Sequence, residues 1–295
     1  MKPPLFEYAD PRTMAEAIAL LRQSGDEAKV LAGGQSLVPM LNLRLARPRY
    51  LIDINRIHEL DYIRLVDGGL EIGACTRQRA VERSALIRER CPLLHDAIQL
   101  VGHQQIRNRG TVGGSLAHAD PAAELPAVVV ALGGRLRVRS AVSERVIRAD
   151  EFFISYLTTQ LRPDELLAAV ELPAWPARTG AAFMEISRRA GDFALVGVAA
   201  VLALDGGSRV ERVGLALMGV HERPFNGGPL ADELLRGERV EDGRLRAVAE
   251  RVGAAVEPGS DIHATADYRR HAAVVLTRRA LLAAAERARA SHGGS

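Results

Sequence analysis

Apolar positions along the chain change period several times, and the changes mark its elements. Ala17, Ile18, Leu20 and Leu21 fall at helical spacing behind Thr13-Met14-Ala15-Glu16, which has the form of a capping box. Gly25 is a natural stop for that helix. Lys29-Val30-Leu31 then reads as a short strand running into Ala32-Gly33-Gly34-Gln35-Ser36, with a short helix from Leu37 that Pro48 closes. Tyr50 to Ile54 reads as a second strand. These elements predict a small α/β unit over residues 1–56.

A second unit is expected over 57–176. Tyr62–Val66 and Leu70–Ala74 flank Asp67-Gly68-Gly69, a hairpin signal. Helical text follows from Thr76 to Arg83 and from Pro92 to Val101. Gln104 to Arg109 reads as a polar loop leading into Gly110-Thr111-Val112-Gly113-Gly114-Ser115. Ala122–Leu132 reads as a buried helix, with Asp120-Pro121 as its N-cap and first residue. Strands are predicted at 134–140, 145–148 and 166–172, and Pro173-Ala174-Trp175-Pro176 reads as a linker.

The third unit, 177–295, opens with strands at 181–187, 194–204 and 209–218, which predict a three-stranded antiparallel sheet. Helices follow at 229–236, 242–256 and 265–289, and the last four residues read as frayed. The whole is an α+β chain with no internal repeat.

Composition narrows the chemistry. Charged residues make up 25% and hydrophobic residues 47%, an ordinary globular balance. Aromatics are only 4%, too few for the stacking platforms of a single-strand binder. The 39 basic residues are answered by 36 acidic ones, and no Lys/Arg run has the length of a nucleic-acid tail, so no nucleic acid is expected. The apolar run Ala194–Leu204 is too short to span a bilayer, and the N-terminus lacks the apolar core of a signal peptide. A cytoplasmic protein with no transmembrane segment is expected. Cys75 and Cys91 are too few for a structural zinc site or an iron–sulfur cluster, so redox chemistry needs another cofactor.

Glycine spacing decides most about that cofactor. No two of the 27 glycines stand two positions apart, which removes the G-x-G-x-x-G fingerprint, and no P-loop occurs. Instead there are two Gly-Gly loops with the same grammar, at 32–36 and 110–115. Glycine lets the backbone turn at positive φ and approach a ligand closely, and successive amides can then converge on anionic oxygens. Ser36, Thr111 and Ser115 add hydroxyl donors. Either loop alone is an ordinary tight turn. Together they suggest a two-sided pyrophosphate clamp. His118, Asp120 and Glu124 lack metal-site spacing and read better as ligand contacts or caps. No residue set argues for nucleophilic or acid–base catalysis. Arg188–Phe193 interrupts two strands and reads as a polar hairpin or as a mobile loop presenting Phe193 to an aromatic ligand.

Ala32-Gly33-Gly34-Gln35-Ser36-Leu37-Val38-Pro39-Met40, Leu51-Ile52-Asp53-Ile54 and Arg107-Asn108-Arg109-Gly110-Thr111-Val112-Gly113-Gly114-Ser115 together resemble the FAD-binding medium subunit of the molybdenum hydroxylases. Arg188 to Ala194 and Asp267-Tyr268-Arg269-Arg270 match later patterns of that family, so the resemblance covers about residues 3 to 285. Gln35 departs from the histidine common in carbon monoxide dehydrogenases, and Ser115-Leu116-Ala117 also differs from their usual text. The resemblance implies a vanillyl-alcohol-oxidase (PCMH)-type FAD domain of two α/β subdomains, followed by a domain of a three-stranded sheet and a helix bundle. It implies noncovalent FAD with its pyrophosphate on Ala32, Gly33, Gly34, Gln35 and Ser36 and on Thr111, Val112, Gly113, Gly114 and Ser115. It further implies Glu124 at the flavin's sugar part, Leu167 at the adenine end and Phe193 near the isoalloxazine. The implied partners are a small subunit with [2Fe–2S] clusters and a large subunit with the molybdenum cofactor, in a dimer of heterotrimers. The implied role is electron transfer from the clusters through FAD to an outside acceptor. A self-sufficient flavin oxidase or dehydrogenase of the same fold, and a non-catalytic nucleotide-binding module, are the alternative readings.

Overall fold

The structure is a computed structural model that describes residues 2–290. The predicted fraying of residues 292–295 lies outside them.

Three sheets organise the chain. The first is wholly parallel, in the order Glu7–Ala9, Tyr50–Asp53, Ala28–Leu31. Helix Met14–Ser24 covers it, with Met14, Ala17, Ile18 and Leu21 buried against Ile52 and Ile54. Its capping box is present as read from sequence, and Gly25 closes it at φ +52°. Cys75, Leu166 and Ala168 come from the next unit to complete this core.

The second sheet is antiparallel, in the order Ile63–Val66, Gly69–Gly73, Leu166–Leu172, Arg135–Arg139, Glu144–Arg148. Helices Pro92–Ile98, Val112–His118 and Glu124–Leu132 bury their apolar residues with it in one large core.

The third sheet has four strands where three were expected. Phe225–Asn226 adds to Thr179–Ser187, Ala194–Leu204 and Val210–Met218, pairing Phe225 with Leu217 and Asn226 with Ala216. A two-residue edge strand behind Pro224 carries no periodic signal, so only the tertiary pairing creates it. Strand alternation splits the sheet cleanly. Ala199, Val201, Ala216 and Met218 join the core of the second unit. Val196, Val198, Leu215 and Leu217 face helices Gly228–Leu235, Asp242–Ala255 and Ala266–Ala290. The central strand 194–204 is therefore buried on both sides, which explains its unbroken apolar text.

Two further readings are corrected. Gln104–Arg109 is a six-residue helix, not a loop. Its polar sequence has no apolar stripe because an ion pair anchors it: Arg107 donates to Glu82 at 2.9 Å and to the carbonyls of Val101 and Gly102. The buried helix starts at Glu124 with Ala123 as N-cap, not at Pro121. Pro126 explains the delay. In a helix starting at Pro121, residue 126 would owe an N–H to the carbonyl four residues back, and proline has none. Starting at Glu124 places Pro126 in the first turn, where that N–H is not needed. Asp120 instead caps a turn, accepting from Ala122 N at 2.8 Å.

Candidate functional site

The two Gly-Gly loops lie against each other. A Cβ on Gly33 would come within 2.6 Å of the Arg109 carbonyl oxygen and 2.7 Å of Gly110 Cα. One on Gly114 would sit 3.6 Å from Ala32 Cβ. These glycines are expected to have the task of admitting a ligand. The structure gives Gly33 an additional one, letting the two backbones touch.

The loops offer different donors. In the first, Gly34 sits at φ +75° and Ser36 in the right-handed region, an alternation that turns successive amides toward one side. The amides of Gly33, Gly34, Gln35, Ser36 and Leu37 have no protein acceptor among the described residues. Gln35 folds back, donating through Nε2 to the Gly33 carbonyl at 3.0 Å, and Ser36 makes no capping bond. In the second loop most of the amides are already spent. Val112 donates to the Thr76 carbonyl at 3.0 Å, Gly113 to that of Ala74 at 2.9 Å, Gly114 to Thr111 Oγ1 at 3.0 Å and Ser115 to the Thr111 carbonyl at 3.2 Å. What remains there for an anion is the Thr111 amide, the hydrogen of the Thr111 hydroxyl and the Ser115 side chain.

A bracket the sequence did not reveal ties the loops together. Asn55 Nδ2 donates to the Ala32 carbonyl at 2.6 Å. Arg77 donates to Asn55 Oδ1 at 2.7 Å and to the Arg109 carbonyl at 2.5 Å. These partners stand 22 and 32 positions from Arg77, so spacing gives no signal of them.

Glu124 is buried at 8% exposure where its helix begins, just beyond the second loop. Burial pushes its carboxyl up to about 8, and the charges of Glu185 and Asp120 push the same way. Burial also raises Glu185 to about 7 and lowers His118 below its ordinary range. Leu167 is 4% exposed and its side chain is packed in the core of the second unit. Phe193 is 69% exposed, at the end of the 188–193 loop. That loop rests on the second glycine-loop region: a Cβ on Gly191 would sit 2.1 Å from His103 Cε1, and His103 stands at the N-terminus of the helix leading to Gly110. Among the described residues no group of three or more His, Cys, Asp or Glu side chains gathers as a metal site. Burial raises Cys75 and Cys91 to about 12, so both are inert thiols.

The raised carboxyls have a consequence for stability. In the unfolded chain Glu124 ionises near pH 4.5, whereas in the folded chain it keeps its proton to about pH 8. Between those values the folded state binds more protons, so stability falls as pH rises from about 5 to about 8. Thermal unfolding across that range is expected to show the decline in the wild type and a flatter profile in Glu124→Gln. Parallel profiles would contradict the assignment.

A parallel α/β unit and an antiparallel α+β unit meeting at two glycine loops, one with a row of unspent amides, define a nucleotide-cofactor domain. The comparisons with known proteins agree. Residues 4–175 match the family described as FAD binding domain in molybdopterin dehydrogenase, and residues 181–284 match the CO dehydrogenase flavoprotein C-terminal domain. The chain belongs to the FAD-binding medium-subunit family of the molybdenum hydroxylases. It is 39% identical to the 6-hydroxypseudooxynicotine dehydrogenase complex subunit alpha of Paenarthrobacter nicotinovorans, over 98% of this chain and 97% of that one. It is 38% identical to the solved carbon monoxide dehydrogenase chain of Hydrogenophaga pseudoflava, with a TM-score of 0.94 over 97% of this chain and 99% of that one. Against quinoline 2-oxidoreductase of Pseudomonas putida 86 the TM-score is 0.91 at 37% identity, covering 98% and 99% of the two chains.

Proposed function

We propose that the chain carries one noncovalent FAD and serves as the electron-transfer subunit of a molybdenum hydroxylase. In this reading it stands between the [2Fe–2S] clusters of a small subunit and an external acceptor, beside a large subunit holding the molybdenum cofactor. The observation that carries the reading is the first loop, whose five unpartnered amides belong to a turn lying against the second loop. Bound FAD would supply the redox chemistry. The chain's own task is to bind and orient it. Residues 32–36 would hold the pyrophosphate by backbone amides, with Thr111 and Ser115 adding hydroxyls. Val112, Gly113 and Gly114 would shape that side of the clamp. Glu124 would meet the sugar part, Leu167 would contribute at the adenine end through its backbone, and Phe193 would lie near the isoalloxazine.

The finer points belong to the same proposal. The units 1–56, 57–176 and 177–295 each contain one of the three main sheets. The complex would be a dimer of heterotrimers. No helix among the described residues is long and apolar enough to cross a membrane. Two buried free cysteines suit the reducing cytoplasm.

Acid precipitation of the purified protein is expected to release all of the yellow colour, at one FAD per chain. Protein that takes up no flavin would overturn the reading. Colour retained in the pellet would overturn noncovalent binding.

A further inference from the structure

The bracket behind the two glycine loops joins residues of different units. Asn55 follows strand Tyr50–Asp53, at the point where that strand leaves its parallel neighbour Ala28–Leu31. The last backbone bond between them runs from Ile54 N to the Leu31 carbonyl at 3.0 Å. Arg77 is fixed beside the second loop through its backbone neighbours. Gln78 N donates to the Gly110 carbonyl at 2.9 Å and Val112 N to the Thr76 carbonyl at 3.0 Å.

The Asn55 side chain is fully committed. Its Nδ2 donates to Asp53 Oδ1 and to the Ala32 carbonyl, both at 2.6 Å, and its Oδ1 accepts from Arg77 at 2.7 Å. Two of these partners only accept and the third only donates, so the amide has one possible orientation. Asp53 is held in turn, accepting from Asn55 N at 2.9 Å and from the Tyr8 hydroxyl at 2.8 Å. The bond from Arg77 is charge-assisted, and its pull on Oδ1 makes Nδ2 a stronger donor toward Ala32.

That last bond sets the direction of a peptide in the first loop. In a trans peptide the C=O and the N–H point opposite ways. With the Ala32 carbonyl drawn toward Asn55, the Gly33 N–H points away from it, and this amide is the first of the five without a protein acceptor among the described residues. Two successive glycines give the peptide little resistance of its own to turning over. Turned over, it would offer an anion a carbonyl oxygen in place of a donor.

We propose that Asn55 and Arg77 are positioning residues for the flavin, forming a latch that keeps the Ala32–Gly33 peptide turned with its N–H toward the pyrophosphate. The inference rests on the FAD reading above. Arg77 also donates to the Arg109 carbonyl at 2.5 Å, and that oxygen is the atom against which Gly33 packs. One guanidinium thus sets both the peptide and the contact between the loops.

The test measures the FAD affinity of the flavin-free full-length chain and its variants by quenching of flavin fluorescence, at about pH 8, where a carboxylate is ionised. Asn55→Ala and Arg77→Met are each expected to weaken binding about tenfold. The double variant is expected to stay within about threefold of the weaker single one, because both residues act on one peptide, whereas independent effects would multiply to about a hundredfold. Asn55→Asp keeps the size of the side chain and the acceptor for Arg77, but it replaces the donor to Ala32 by an acceptor. The new carboxylate repels the Ala32 carbonyl and attracts the Gly33 N–H, so binding is expected to weaken about a hundredfold, more than in Asn55→Ala. Phosphorus NMR supplies a readout that a general loosening of the fold would not move. In Arg77→Met saturated with FAD, the pyrophosphate signals are expected to be displaced from those of the wild type, with the flavin absorption spectrum unchanged. Arg77 is only half-buried, so this comparison stands even where an Asn55 variant fails to fold. Asn55→Asp binding as tightly as Asn55→Ala, multiplied losses in the double variant, or undisplaced phosphorus signals in Arg77→Met would overturn the latch while leaving the flavin reading intact. FAD binding by none of the proteins, the wild type included, would overturn both.

Discussion

Gly33→Val is expected to strip the protein of FAD. The new Cβ would be placed 2.6 Å from the Arg109 carbonyl oxygen and 2.7 Å from Gly110 Cα, both backbone atoms that no rotamer change can move. Overpacking of this kind costs about 1–3 kcal/mol, and here it is relieved by separating the two loops. Separation pulls on the Asn55–Arg77 bracket and spoils the convergence of the amides of Gly33 to Leu37. Loss of about 3 kcal/mol of binding energy corresponds to roughly a hundredfold weaker affinity. The flavin content of the purified variant and its affinity for added FAD measure this directly. Gly206→Ala is the control, since nothing lies within 4 Å of a Cβ there, and it is expected to match the wild type in both. A Gly33→Val protein that retains a full complement of flavin would mean that the loops do not need their close approach.

Arg269→Met is expected to cause the largest loss of stability, about 3 kcal/mol or more. The Arg269 side chain is only 9% exposed, on the long last helix. It donates to the carbonyls of Leu195 and Gly219 and to Asp261 at 2.7 Å. Methionine fills similar volume but leaves two carbonyls without this donor, at about 1–3 kcal/mol for each that stays buried and unpaired. Asp261 keeps the amides of His263 and Ala264, which do most to hold its carboxyl down at about 2, so little of the loss should come from that side. The effect should reach the site. Leu195 begins just after Phe193, and Gly219 donates to the Pro121 carbonyl ahead of Glu124. Denaturant unfolding gives the stability change, and flavin content reports the spread to the site. A midpoint within error of the wild type would show that the sheet ends do not depend on the arginine.

The elements legible in the sequence are those that local chemistry specifies. Thr13 and Glu16 define a helix start by two reciprocal bonds three residues apart, and the structure has both. The long strands of the third sheet follow from unbroken or alternating apolar text, and the two glycine loops are visible because only their backbone conformation and spacing matter. The family follows from those loops, since a pair of such turns is far more specific than one.

What the sequence left open depends on partners distant in the chain. Gln104–Arg109 becomes a helix because Glu82 is waiting for Arg107, and Phe225–Asn226 becomes a strand because the edge of Val210–Met218 is free to receive it. The start of helix Glu124–Leu132 does have a local signal, Pro126, which competes with the capping pattern of Asp120-Pro121. Within the site, sequence supplied the glycines and hydroxyls. Which amides remain free, which are spent on Thr76 and Ala74, and what ties Ala32 to Arg109 were settled only by the fold. Glu185 shows the division most clearly. An acid on the inward face of an otherwise apolar strand is a signal any alternation analysis can find. Its burial without a hydrogen-bond partner, which raises its carboxyl, comes only from the packing of two units.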